Sequence, residues 1–142
     1  MGFKKIDGGV CAAKGFLANG LNCGLNSNKD KNDLCLVFSE ALCNAAAVYT
    51  QNKVKGAPIT VTKKHLEKSG GKAQAVIANS KNANTCNADG VEKAERMCRL
   101  AASVLNIEPE KVIVASTGVI GKVLPIEPIE NSIDSLAKGL SH

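Results

Sequence analysis

KVIVASTGVIGKVLP, Lys111 to Pro125, is the stretch on which the reading of this chain turns. Val112 to Ala115 is a compact apolar run rich in β-branched residues, the mark of a buried strand. It ends in Ser116-Thr117-Gly118, and Gly121 marks a loop beyond. The glycine-lysine pair Gly121-Lys122 invites comparison with a phosphate loop, G-x-x-x-x-G-K-[ST]. Both checks fail, because Ser116 stands where the first glycine is needed and Val123 follows the lysine. No G-x-G-x-x-G occurs either. Two readings of Thr117-Gly118 stay open from these residues alone. One is a turn that ends a strand. The other is an oxyanion hole: a hydroxyl at the tip of a rigid strand, beside a glycine N–H that a substrate can approach closely.

Outward from this strand, Pro128 suits an early helical position, and Ile129, Ile133, Leu136 and Leu140 make one apolar stripe. Upstream, Val91, Ala94, Cys98, Ala101 and Leu105 fall at helical spacing, with Asp89 placed to cap that helix. AQAVIAN, Ala73 to Asn79, reads as a strand, and the Asn- and Ser-rich NSKNANTCNADG after it as a loop. Pro58 opens PITVT, and KKHLEKSGG after it reads as a short helix stopped by Gly70 and Gly71. LCLVFSE and NAAAVYT read as strands, and GVCAAKGFLANGLNCGLN as two short strands with turns at Gly15 and Gly20. Strands and helices are mixed without a regular βαβ winding, so the fold class is α+β, sheets with helices packed on them, in a single domain spanning 1–142.

The 142 residues carry a net charge of +5, nearly all of it lysine, since Arg96 and Arg99 are the only arginines. Phe3, Phe16, Phe38 and Tyr49 are the only aromatics. Arginine forks and stacking aromatics are what nucleic-acid recognition uses, so the charge reads as a solvated lysine surface. Apolar runs stay far short of the roughly 18 residues of a membrane helix. MGFKKIDGG lacks the apolar core of a signal peptide, and Ile6 stands where a myristoylation site needs Ser or Thr. The location this predicts is the cytoplasm. The cysteines, Cys11, Cys23, Cys35, Cys43, Cys86 and Cys98, form no C-x-x-C and no zinc spacing with His65 or His142. They are expected to be free, buried thiols acting as small hydrophobes, with no metal bound.

Four segments, in order, carry a resemblance to a known family. GGVCAAKGF resembles its opening Gly-Val-Thr-Ala-Pro-Lys-Gly-Phe, and NAAAVYTQNKVKGAPI its Ala-Ala-Val-Phe-Thr-x-Asn-x-x-x-Ala-Ala-Pro segment. ANSKNANTC resembles its Asn-Ser-Gly-Asn-Ala-Asn loop, and PEKVIVASTGVIGKVLPIEPI contains its Ser-Thr-Gly-Val-Ile-Gly signature. The family is that of the bifunctional ornithine acetyltransferase / glutamate N-acetyltransferase of arginine biosynthesis. Cys11 and Ala13 depart from its Thr and Pro, and Lys81 replaces its loop glycine with a bulky charge.

The resemblance implies a layered αββα sandwich and a precursor that cleaves itself before a threonine into α and β chains, forming a cytoplasmic α2β2 assembly. The new N-terminal threonine of β is the nucleophile. It takes acetyl from N-acetylornithine and passes it to glutamate, with acetyl-CoA as an alternative donor and no bound cofactor or metal. The family's oxyanion pair maps onto Thr117 and Gly118; the residues that contact substrate are left unassigned. The cleavage motif lies beyond residue 142 in family members. The expectation is therefore an incomplete N-terminal α portion, with the oxyanion donors but not the nucleophile, and inactive alone. Its partners would be the β chain and the small-molecule substrates, not nucleic acid or membrane. The alternative is a non-catalytic binding or regulatory module that retains the fold.

Overall fold

The computed structural model describes residues 2–142, so the sequence reading at Met1 lies outside it. A short 3-10 turn, Gly9–Ala12, leads into strand β1, Phe16–Leu21, and β2, Leu34–Asn44, follows. Helix α1, Ala57–Lys68, and strand β3, Lys72–Asn79, come next. Helix α2, Gly90–Leu105, then crosses to strand β4, Val112–Ser116, and helix α3, Glu127–Lys138, comes last. The strands form one sheet in the order β1-β2-β3-β4. The β1–β2 and β2–β3 pairs are antiparallel, and β3 and β4 are parallel. A parallel pair needs a crossover, and α2 supplies it. The architecture is α+β, as the residue pattern predicts.

Alternation along the strands sets two faces. Leu34, Leu36, Ala75, Ile77, Val112 and Val114 point to one side and are almost wholly buried. They share a core with Val61 of α1, Ala94, Met97 and Cys98 of α2, and Ile129, Ile133 and Leu136 of α3. On the other side stand Phe16, Val37, Val76 and Ile113, which stay half-buried, and Cys35, which is exposed. The described residues place no helix there.

Helix α1 also finishes the outer edge of β4. The Thr62 hydroxyl accepts the Val114 N–H at 3.1 Å and donates to the Val114 carbonyl at 3.0 Å. The buried His65 ring lies between the Val112 carbonyl, 3.1 Å from Nδ1, and the Glu95 carboxylate, 3.0 Å from Nε2. These side chains satisfy main-chain groups that an edge strand would otherwise bury unpaired.

Several local expectations are corrected. The helix read over KKHLEKSGG starts earlier: PITVT forms the first turns of α1, because Pro58 sits at a helix N-terminus, where its missing N–H costs nothing. Helix packing there overrides the strand propensity of Ile, Thr and Val. The helix stops as predicted: Gly70 and Gly71 take left-handed φ of 65° and 73°, and the Gly71 N–H returns to the Leu66 carbonyl. NAAAVYT is not a strand; only its Asn44 belongs to β2. Near the start there is one strand, not two, and Gly20 lies inside it, paired with Cys35. Leu140, assigned to the apolar stripe, lies past the end of α3 but still packs on the core. Val91 is 47 % exposed, so it is not on the core face of α2. Asp89 stands at the N-cap without a side-chain capping bond, and its carboxylate pairs instead with Lys93 at 2.8 Å.

The cysteines are free, but only Cys98 is buried, while Cys35 and Cys86 are exposed. Burial pushes the Cys98 thiol up to about 12 and the Cys23 thiol to about 11. The apolar neighbours in DLCLVF put Leu34 and Leu36 on the covered face, and strand alternation then turns Cys35 the other way.

Candidate functional site

Strands β3 and β4 run in parallel, so their C-terminal ends lie side by side, with Asn79 opposite Ser116. Both then enter loops, and the two loops are sewn together. The Thr117 N–H donates to the Asn79 carbonyl at 3.0 Å, the Val119 N–H to Lys81 at 3.2 Å, and the Ala83 N–H to Val119 at 3.0 Å. Further along, the Gly121 N–H donates to the Thr85 carbonyl at 2.9 Å. The Asn82 side-chain amide donates to the Lys122 and Val123 carbonyls at 2.8 and 3.2 Å, and that of Asn87 to Lys122 at 2.8 Å. The Asn-rich stretch is thus a loop, as its composition predicts. Its partner, the Thr-Gly loop, is a contact that composition does not reveal.

Gly118 is where the two loops press closest. Its φ is 136°, a region that favours glycine, and a Cβ there would overlap the Lys81 carbonyl carbon and the Asn82 nitrogen. Lys81 itself takes φ 74° without being glycine, a locally costly conformation. That conformation is the one the glycine of the resembling loop would adopt freely.

Thr117 and Gly118 are both exposed at the tip of this assembly. Among the described residues, neither the Thr117 hydroxyl nor the Gly118 N–H has a hydrogen-bond partner. These two consecutive residues thus carry two donors without a partner, and of the two only Thr117 lines the cleft described next. Thr117 borders a cleft of about 230 Å³ on the open side of the sheet, shared with Asp33, Cys35, Ala78, Asn79 and Ser80. A second cavity of about 190 Å³ continues on the same side over Phe16, Val37, Val76 and Ile113.

The titratable groups of the first cleft are poorly suited to attack or to take a proton. Burial alone would raise Asp33, but the N–H groups of Asn26 and Cys23, 2.6 and 2.7 Å from its oxygens, hold it below the usual carboxylate range. Burial raises the Cys35 thiol, keeping it protonated. Two unpartnered donors are what the site offers a ligand oxygen, and neither Asp33 nor Cys35 in the cleft lining is an activated nucleophile. No cluster of three or more His, Cys, Asp or Glu able to hold a metal occurs among the described residues.

Sequence reading missed Asn79 and Asn82, whose side chains are 3 % exposed and wholly engaged around the loop. The available signal was a polar residue closing the alternation Ala73, Ala75, Ile77, Asn79 on a core-facing strand edge.

The ArgJ family profile matches residues 17–142. The chain is 44 % identical, over 96 % of its length, to the arginine biosynthesis bifunctional protein ArgJ of Caldanaerobacter subterraneus subsp. tengcongensis. It is 47 % identical over 95 % of its length to the ArgJ protein of Bacillus licheniformis. It spans 33 % of the length of each of these relatives. A crystal structure of ArgJ from Bacillus halodurans superposes with a TM-score of 0.81 at 40 % identity, covering 87 % of this chain and 63 % of that one. The ornithine complex of ornithine acetyltransferase from Mycobacterium tuberculosis superposes with a TM-score of 0.84 at 32 % identity, covering 92 % of this chain and 69 % of that one.

Proposed function

The chain belongs to the ArgJ family, and from that premise we propose that it is the N-terminal α portion of an acetyltransferase of arginine biosynthesis, supplying the oxyanion hole. The observation that carries this reading is the pair of unused donors, the Thr117 hydroxyl and the Gly118 N–H, at a braced strand end. In the proposed reaction a threonine carried by the β portion, outside this chain, attacks the acetyl carbonyl of N-acetylornithine. As the carbonyl oxygen becomes negative, the two donors bind it where it develops. The tetrahedral intermediate collapses as its C–N bond breaks, ornithine leaves with its amine taking the proton given up by the threonine hydroxyl, and the acetyl group rests on the threonine as an ester. Glutamate's neutral amine then attacks, the same donors hold the second oxyanion, and its collapse breaks the threonine ester, releasing N-acetylglutamate while the amine's proton returns to the threonine oxygen. Acetyl-CoA is a second acetyl source in the same scheme.

Self-cleavage, an α2β2 assembly and a cytoplasmic location belong to the same proposal. So does the layered αββα arrangement, in which a second sheet and its helices cover the open side of this one. The half-buried apolar residues there support that reading, since bare apolar sheet faces of this kind seek cover. The 142-residue chain alone is expected to show no acetyl transfer at an enzymatic rate, because donors without a nucleophile can at best assist water.

The test is Thr117→Ala in the complete protein. Loss of one oxyanion donor lowers kcat by about 10²–10³-fold. KM changes far less, since the donor acts mainly in the transition state. Unchanged kcat with a raised KM would move Thr117 into ground-state binding. A complete protein without transfer activity would favour the binding-module reading.

A further inference from the structure

Asn79 occupies a position where the alternation of β3 calls for a small apolar residue. A polar group there is stable only if its hydrogen-bonding capacity is met. Both of its amide donors and its oxygen are engaged, and every side-chain bond goes to the end of β4 or to the Asn-rich turn. Oδ1 accepts the Ser116 hydroxyl at 2.6 Å. Nδ2 donates to the Ser80 and Asn82 carbonyls, each at 3.0 Å. The main-chain carbonyl accepts the Thr117 N–H at 3.0 Å.

One residue therefore grips both sides of the donor pair. It holds Ser116 and Thr117 at the end of β4, and it holds the Ser80–Asn82 turn against which Gly118 is seated. We propose that Asn79 is the positioning residue that sets the Thr117 hydroxyl and the Gly118 N–H at the spacing one oxyanion requires, an inference that rests on the oxyanion reading above. The chemistry explains the residue type. The position needs one acceptor and two donors on a short planar group, which Asn provides; an ionised Asp has no donors. Asn82 extends the brace, tying the turn to Lys122 and Val123 at the far end of the Thr-Gly loop. Donors of this kind work only when held within about 0.5 Å of the productive geometry.

The experiment uses the complete protein and three variants. Asn79→Asp preserves shape and the acceptor for Ser116 but removes both donors, and its kcat should fall by roughly 10–100-fold while KM stays within about 3-fold. Combined with Thr117→Ala, it should add far less than the product of the two losses, because it acts through the same donor pair. Ser116→Ala removes only the 2.6 Å bond, and a smaller kcat loss with the same non-additivity is expected; it decides the matter if Asn79→Asp does not fold. Fully multiplicative losses, or a lowered melting temperature with normal kcat, would overturn the positioning role. A slow Thr117→Ala beside a normal Asn79→Asp and Ser116→Ala rejects positioning alone. A normal kcat for Thr117→Ala rejects the oxyanion reading and this inference together.

Discussion

The two faces of the single sheet are built from similar residues and have opposite fates. On the helical face, Leu34, Leu36, Ile77, Val112 and Val114 are 0–3 % exposed and interlock with three helices. On the other face, Val37, Val76 and Ile113 are equally aliphatic, yet they line shallow cavities and stay half-exposed. Strands apolar on both faces are the signature of a sheet covered on both sides. The lesson is that packing is divided unequally between the faces. The helical face makes the fold, and the open side carries the cleft beside Thr117.

The largest test of this contrast is Leu36→Ala on the helical face. It should cost about 2–5 kcal/mol, the transfer loss plus a cavity that closely packed neighbours cannot close. A loss under about 1 kcal/mol in denaturant titration would mean this face is not the tight core its burial indicates.

Gly118→Ala probes the strand end where the two faces meet. The added Cβ overlaps the Lys81–Asn82 backbone, so the loops must part, at about 1–3 kcal/mol. Activity of the complete protein should fall more than stability does. An Ala variant with native melting temperature and rate would show that the loops are not clamped.

Acid should loosen the helical side. Burial would raise Glu95, but its bonds to Lys64 and His65 prevail and its pKa is lowered from 4.5. A lowered folded value means the stabilisation is fully present above the unfolded pKa and is lost as pH falls through the folded one. Asp33 shifts in the same direction. Urea midpoints should therefore drop as pH goes from 5 toward roughly 3. Glu95→Gln should shrink that drop, and an unchanged pH dependence in this variant would remove Glu95 from the account.

The smallest effect is expected from Val76→Ser on the open face. In the 142-residue chain it should cost about 0.5–1 kcal/mol, because Val76 is half-buried on a central strand and Ser fits a strand less well. In the complete protein the same change should cost more if a second sheet covers Val76. Equal effects in both would break the asymmetry between the faces.

Much of the fold was legible from periodicity. The β3 alternation, the α2 and α3 stripes and the Gly70-Gly71 stop are local signals read directly from residue spacing. The start of α1 was less legible than its end, because the β-branched residues of PITVT, before KKHLEKSGG, are recruited into the helix. At the candidate site, the strand end and its Thr117-Gly118 turn were legible because strand, hydroxyl and glycine are contiguous, whereas an oxyanion role for the pair rests on the family resemblance and is a proposal. Asn79 and Asn82 were not legible, because their roles depend on partners far away in sequence.

Sequence alone determined the strand that ends in Thr117-Gly118, the α+β class and the family, each carried by residues close together along the chain. Only the tertiary structure decided that the Asn-rich loop braces the Thr-Gly loop. It alone showed that Lys81 sits in a glycine-like conformation and that one sheet face is left bare. The physical reason is that hydrogen bonds between strand ends and their loops 37 to 41 residues apart, such as Ser116 to Asn79 and Asn82 to Val123, leave no periodic trace in either segment. They come into being when the parallel pairing of β3 and β4 sets the two strand ends side by side.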